Sequence, residues 1–468
     1  MLSFFRSNAV FQVFSLLVLL VLVRLPVYMT GLPLLVPELQ WMLLGEQLNK
    51  GLLLYVDVWD STAPLAALVY AGLDVLFGRS QAAFAAAALL CSAIQVVYFN
   101  EIVNRRGVFP EQNFIPGLLY LVVLSSSVDC FTLSPALLAS LFLLLALGTL
   151  LKQLDRVGAT DEVFEIGFYI SVAGLFYPPA GLFIIWAFLS LLLYSGANFR
   201  QHALTLFGFL FPFLLTALFY YLDGNYEIFS RIFLASVFQI RQYNLNDFRS
   251  LLLAIVLPLT VAVLGFFRML NYGRYTNFQT RTQQVMVFWA ITSILSVGLM
   301  PFLAPMQFVV FVPCVAFFCV HFFTTFRRQW VPELVFLAFF GSVLLISYQA
   351  VYPIFGRSVT GQLAALRLQP SSLPPDIRGK RIIVLGDALS EYRDNYPATP
   401  YLNWKLARYD LERLDNYDNV INILRNFERD PPEYIIDRQA LVPKLFQRIP
   451  ALQRRYRKVG AGIYRRNG

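Results

Sequence analysis

The chain has 468 residues, of which 58% are hydrophobic and only 14% charged, with a formal net charge of +9. Soluble domains carry about 25% charged residues, so this composition excludes an ordinary soluble globular protein and fits a polytopic membrane protein. The positive balance is not a nucleic-acid footprint, because no run of Lys and Arg interleaved with aromatics occurs.

A bilayer core about 30 Å thick needs roughly 20 apolar residues per helix. Runs of that kind fall near 9–28, 82–103, 114–128, 135–151, 164–177, 180–195, 203–222, 251–270, 285–303, 306–325 and 332–350, which predicts an α-helical protein of about eleven transmembrane helices. The first run is expected to be a retained anchor, since it is long and no small-residue cleavage site follows. Residues 29–81 then form one long loop. Within it, 38–48 is predicted as an amphipathic helix lying on the membrane. The stretch 64–78 is predicted as an interfacial helix, because it is short, begins with Pro64 and carries Asp74.

The arginines set the orientation. With eleven spans and the N-terminus inside, the inner connections hold Arg6, Arg105, Arg106, Lys152, Arg156, Arg200, Arg268, Arg274, Arg281, Arg327 and Arg328, and the outer ones are poor in cations. Counting 64–78 as a span would put Arg105 and Arg106 outside and reverse every later loop. The expectation is therefore a multi-pass protein with its N-terminus inside and its first long loop and its tail on the outer side, which is the periplasm if the membrane is the inner membrane of a Gram-negative bacterium.

Residues 1–354 read as the membrane domain, 355–374 as a linker and 375–468 as a small extracytoplasmic α/β domain. The tail holds 18 Lys and Arg against 12 Asp and Glu, counted over 375–468. "RIIVLGD" (381–387), "PEYIIDR" (432–438) and "KVGAGIYRR" (458–466) read as three strands, and 401–414 as a helix between the first two. No G-x-G-x-x-G or G-K-[ST] follows the first strand, so it is not read as a nucleotide site. The four cysteines lie within or beside apolar runs without a C-x-x-C pair and read as small apolar fillers. His202 and His321 read as interfacial residues and not as metal ligands.

Candidate chemistry gathers on "YVDVWDSTAP" (55–64). Two readings are open there: Asp60 and Ser61 cap a helix beginning at Pro64 with Asp57 solvated, or the acids form a reactive cluster with Glu38. A transporter would want acids buried in mid-span or paired broken helices, and these acids sit at the membrane edge.

An acid soon after the first span, then Gly51, Tyr55, Asp57, Trp59, Asp60, Pro64 and an apolar helix ending "LFGRS" (76–80) resembles the first extracytoplasmic loop of the GT-C glycosyltransferases. These include the aminoarabinose transferase of lipid A, the protein O-mannosyltransferases and bacterial lipopolysaccharide sugar transferases. The match covers about 37–80 and, more loosely, the plan of eleven spans with an outer C-terminal domain. The resemblance implies a polyprenyl-phosphate-linked sugar as donor and a lipid, glycan or protein as acceptor. It also implies first-loop acids that act as general base or bind a metal, so a divalent ion is the one cofactor it leaves open. By this resemblance Glu38 matches the second acid of the family's Asp-Glu pair and Asp57 the later loop acid, while Asp60 stands where members often carry a polar residue before the Pro.

Two positions depart from that pattern. Pro37 stands where the first acid of the pair belongs, which leaves Glu38 to take its role or the chain to be a non-catalytic scaffold that assembles with envelope partners through its tail. The late Arg-Tyr or His-Tyr is replaced by "FLAPMQF" (302–308), which offers Gln307. Sugar transfer from a lipid phosphate needs a base near the acceptor and a cation or metal on the departing phosphate. Glu38, Asp57 and Asp60 are the candidate catalytic acids. Asp129, Trp59, Gln307, Arg231, Arg241 and Arg249 are the candidate substrate contacts, the arginines lying on a connection whose Ile228, Ile232 and Phe233 share one greasy face.

Overall fold

The computed structural model describes residues 1–7, 10–155, 160–237, 248–271, 275–324, 326, 330–349, 351–352, 366–398 and 400–467. Up to residue 349 the chain forms α1 (Val10–Thr30), α2 (Val36–Asn49), α3 (Pro64–Phe77), α4 (Gln81–Arg105), α5 (Ile115–Leu124), α6 (Pro135–Asp155), α7 (Thr160–Phe176), α8 (Phe183–Ser190), α9 (Phe199–Leu222), α10 (Tyr226–Val237), α11 (Phe248–Asn271), α12 (Asn277–Ser296), α13 (Val312–Thr324) and α14 (Trp330–Gln349).

All eleven predicted segments are helical, and among the described residues nine helices are long and apolar enough to cross a bilayer. The chain is a multi-pass membrane protein. Two segments fall short. The ten residues of α5 rise about 15 Å, half a bilayer core, because Ser125, Ser126 and Ser127 end the helix where hydroxyls compete for backbone hydrogen bonds. All ten are buried in protein. The seventeen residues of α7 open on Asp161 and Glu162.

The described residues divide into two compact units. The first comprises Met1–Pro33, Gln81–Phe219 and Val237–Leu366. Its helices pack through close backbone approach at glycine, the device that lets apolar helices associate without a hydrophobic driving force. A Cβ on Gly167 of α7 would lie 1.9 Å from the Thr205 carbonyl oxygen, and one on Gly208 of α9 would lie 2.3 Å from that of Phe164. Gly265 of α11 is placed likewise, 1.9 Å from the Phe318 carbonyl oxygen of α13. Gly167→Leu should therefore abolish folded protein on detergent size-exclusion chromatography, whereas Gly341→Leu, with open space around it, should not. Equal yields would contradict the crossing. His321, expected at an interface, is buried between Phe109, Phe317 and Tyr275, because α13 runs through the middle of the unit with twelve buried residues.

The second unit comprises Leu34–Ser80, Tyr220–Ser236 and Arg367–Gly468. Here α2 lies against α3: Trp41 stacks on Tyr70 at 5.6 Å, and a Cβ on Gly45 would sit 2.5 Å from the Tyr70 carbonyl oxygen. The amphipathic surface helix expected at 38–48 is instead enclosed, with nine of fourteen residues buried, Glu38 and Gln47 among them. The tail adds β1 (Arg381–Leu385), β2 (Tyr396–Pro397), α15 (Trp404–Leu411), α16 (Tyr417–Arg429), β3 (Tyr434–Asp437), α17 (Val442–Arg448), α18 (Pro450–Arg455), β4 (Tyr456–Gly460) and β5 (Ile463–Arg466). The sheet order is β2-β1-β3-β5-β4, with β1 parallel to β2 and β3, and β5 antiparallel to β3 and β4. The expected third strand is thus a hairpin. Its turn needs Gly462, at φ 67° and with no room for a Cβ beside the Asp437 carbonyl oxygen.

Candidate functional site

The first loop is pinned by aromatic packing and backbone hydrogen bonds. Tyr55, at a positive φ of 67° that non-glycine residues rarely adopt, is fully buried among Tyr220, Phe229 and Phe233. Its hydroxyl donates to the Thr62 carbonyl at 2.8 Å, and Tyr220 donates to the Leu54 carbonyl at 3.2 Å. The aromatic face of α10 and the end of α9 thus hold 53–62 in one shape.

Glu38 sits in the first turn of α2 and is 1% exposed, with Oε2 accepting the Leu35 N–H at 3.4 Å. A helix N-terminus favours an anion at that position. Asp60 is fully buried; its Oδ1 accepts the Thr62 N–H at 2.7 Å and its Oδ2 accepts Gln40 Nε2 at 2.5 Å. Burial pushes its pKa up, and the hydrogen bonds from Thr62 and Gln40 oppose that rise without cancelling it. Tyr70 of α3 feels the charge of both acids: its hydroxyl is held well above the ordinary tyrosine range, by burial first and then by the charges of Asp60 and Glu38. Asp60 is not the cap of α3, whose N-cap is Ala63; three residues before that cap, it closes a turn onto the Thr62 N–H.

Asp57 is not solvated. Its Oδ2 accepts the Leu53 N–H at 2.9 Å and its Oδ1 lies 2.5 Å from Arg429 Nη1 at the end of α16. Trp59 also faces the tail, donating its backbone N–H to the Pro400 carbonyl at 2.9 Å and meeting the Tyr401 ring edge-on at 5.4 Å. Its backbone carbonyl accepts Asn403 N–H at 3.2 Å. Arg231 is exposed on α10, and its charge acts on Asp410 of α15. Burial raises Asp410 to about 6, against the pull of Arg231 and a hydrogen bond with Tyr401.

Asp129 belongs to the other unit and is described there by itself. It lies in a short 3-10 turn, Val128–Phe131, fully buried, with Oδ2 accepting the Met306 N–H at 2.9 Å at the start of the turn Pro305–Phe311. Gln307 follows directly and is 1% exposed, so these two predicted residues do meet in one locus. Arg241, and the side chain of Arg249, lie outside the described residues. Among the described residues no group of three or more His, Cys, Asp or Glu converges as metal ligands would.

Burial raises Asp129 from 3.8 to about 6, outweighing its hydrogen bonds from Ser127 and Met306. An acid held up this way protonates more readily in the folded than in the unfolded chain. Stability is therefore greatest below about pH 4 and falls as pH rises through about 6, by roughly 3 kcal/mol for this group. Asp129→Asn keeps an oxygen for Met306 and removes the titration. The variant should lose that part of the pH slope and melt above the parent near pH 7.5; identical slopes would contradict the assignment.

Sequence reasoning missed Tyr70, Gln40, Arg429 and Tyr401. Tyr70 carries a weak local signal as an aromatic on an apolar helix, and Gln40 as a polar residue two positions after Glu38. Arg429 and Tyr401 carry none, because their pairing with the first loop spans more than 340 residues.

No family model matches the sequence, and no curated protein matches it. Solved structures do. ArnT from Cupriavidus metallidurans, captured with undecaprenyl phosphate, aligns over 96% of this chain and 97% of its own with TM-score 0.56 and 12% identity. The oligosaccharyltransferase of Archaeoglobus fulgidus, tethered to an acceptor peptide containing the NVT sequon, aligns over 91% of this chain and 69% of its own with TM-score 0.51 and 12% identity. The chain has the fold of the GT-C membrane glycosyltransferases.

Proposed function

We propose that this chain is a membrane glycosyltransferase that moves a sugar from a polyprenyl-phosphate donor to a lipid, glycan or protein acceptor at the outer face of a bacterial inner membrane. The observation that carries the reading is the pair of buried first-loop carboxylates, Glu38 and Asp60, around Tyr70. Undecaprenyl phosphate in the ArnT structure supports the donor class.

In this reading an acceptor hydroxyl or amine attacks the anomeric carbon, the bond from that carbon to the phosphate oxygen breaks, and polyprenyl phosphate leaves. The acceptor's proton goes to Glu38, which the α2 N-terminus favours as an anion. Asp60, kept toward its protonated form by burial, positions Gln40 and the 60–62 turn. Arg231 is assigned to the departing phosphate, with Arg241 and Arg249 as further cations on the same connection. Asp129 and Gln307 are assigned to substrate, and Asp57 and Trp59 to holding the loop against the tail.

Pro37 and the engagement of Asp57 by Arg429 favour a second reading, a silent member of the fold that acts as an envelope scaffold. Glycan and lipid profiles of cells lacking the chain separate the two. One sugar-bearing species should vanish and return with the wild-type chain but not with Glu38→Gln. Its return with both would end the enzyme reading.

A further inference from the structure

We propose that the end of the membrane unit remote from the first loop holds one phospholipid with a zwitterionic, amine-bearing headgroup. Connectivity defines that end: the first loop joins the C-terminus of α1 to the N-terminus of α4, and the site lies at the opposite tips of both helices. A cavity of about 440 Å³ opens there between Val13 and Leu16 of α1, Val97–Arg105 of α4 and the connection that leads to α5. That volume is within the range of roughly 300–1,000 Å³ typical of small-molecule sites.

Its floor is built. Asn100 Oδ1 accepts the Gly117 N–H at 3.0 Å and Asn104 Oδ1 accepts the Asn113 N–H at 3.2 Å, so the carboxamides of α4 fix the 113–117 backbone across the base. Its polar wall is Glu101 and Arg105, an exposed pair at 3.2 Å. A second cavity of about 180 Å³ shares this wall and adds Arg106, Lys152 and Glu165. Both signs of charge are therefore present at one height, which suits an ammonium and a phosphate on one headgroup better than an anion alone. An exposed i,i+4 pair contributes only about 0.3–0.5 kcal/mol, so its two halves part readily to take a ligand's opposite charges.

The apolar walls fit the rest of such a lipid. On α4 one face runs Leu90, Ile94, half-buried Val97 and Glu101, at spacings of three and four, and turns from apolar to charged at the cavity. From Leu90 to Glu101 the helix rises about 16 Å, close to half of the roughly 30 Å hydrocarbon core and so to one acyl leaflet. On α1, Val13 and Leu16 supply the apolar lining that faces it.

The test is native mass spectrometry of the full chain taken from bilayers of equal phosphatidylethanolamine and phosphatidylglycerol. The wild type should retain one phosphatidylethanolamine in preference. Glu101→Gln should cut that retention by about tenfold or more, the loss expected for one charge-assisted hydrogen bond, and turn the preference to phosphatidylglycerol. Arg105→Gln should lose both lipids. Both side chains are exposed, so the variants should fold, and size-exclusion profiles will verify it. No retained lipid, equal retention of the two by the wild type, retention unchanged in both variants, or a polyprenyl phosphate or second copy of the chain in its place would each overturn the proposal.

Discussion

Glu38→Gln should lower sugar transfer by about 100-fold or more, while the protein accumulates at the parental level. The rate loss is that of removing a general base from the transition state, typically 10²–10⁴. Folding should survive because glutamine at the third helical position keeps an oxygen for the Leu35 N–H. A neutral amide also costs less to bury than a carboxylate. The effect should fall on kcat, since the base acts on the acceptor's proton and not on donor binding. Asp60→Asn should be milder, because Gln40 can turn its carboxamide to accept from the new amide and keep α2 tied to the loop. Kinetics in which the Asp60 variant is the more severe of the two would reverse the roles assigned here.

Deleting residues 368–468 should remove activity and disorder the first loop together. The tail is not an appendage in this fold. Leu368 donates its N–H to the Leu34 carbonyl at 2.8 Å, Arg79 reaches the carbonyls of Tyr392, Arg393 and Asn395, and Asp57 pairs with Arg429. Each loop-to-tail hydrogen bond is worth about 0.5–1.5 kcal/mol net, and buried partners left unpaired cost more. Limited proteolysis should show 34–80 cut rapidly in the truncated protein and protected in the whole chain. Because loop and tail stand or fall together, truncation cannot separate an enzyme from a scaffold; single substitutions at Glu38 can. Equal protection in the two proteins would contradict the shared unit.

Much of the fold was legible because its signals are local. Apolar runs of about 20 residues mark spans, and the helix at 64–77 falls short of that length. "LSSSV" ended the third span sooner than hydropathy suggested, since serine hydroxyls compete with the helix in a way an average over apolar residues does not register. The tail hairpin at Gly462 was read as one strand because "KVGAGIYRR" is continuous in β propensity, and only φ at the second glycine reveals the turn.

At the site, residue types were legible and their partners were not. Glu38 and Asp60 stood out as carboxylates in greasy surroundings, but their shared influence on Tyr70 depends on the close approach of α2 and α3 at Gly45. Asp57 looked like their equal in sequence. Its ion pair comes from a residue 372 positions away, at the end of a helix with only two buried side chains.

The most direct test uses purified protein in proteoliposomes supplied with polyprenyl-phosphate-linked sugars and acceptor membrane extract, following release of free polyprenyl phosphate by mass spectrometry. The account predicts release by the wild type that depends on acceptor and falls to background with Glu38→Gln. Release that is absent in the wild type, or undiminished in the Glu38 variant, would contradict it.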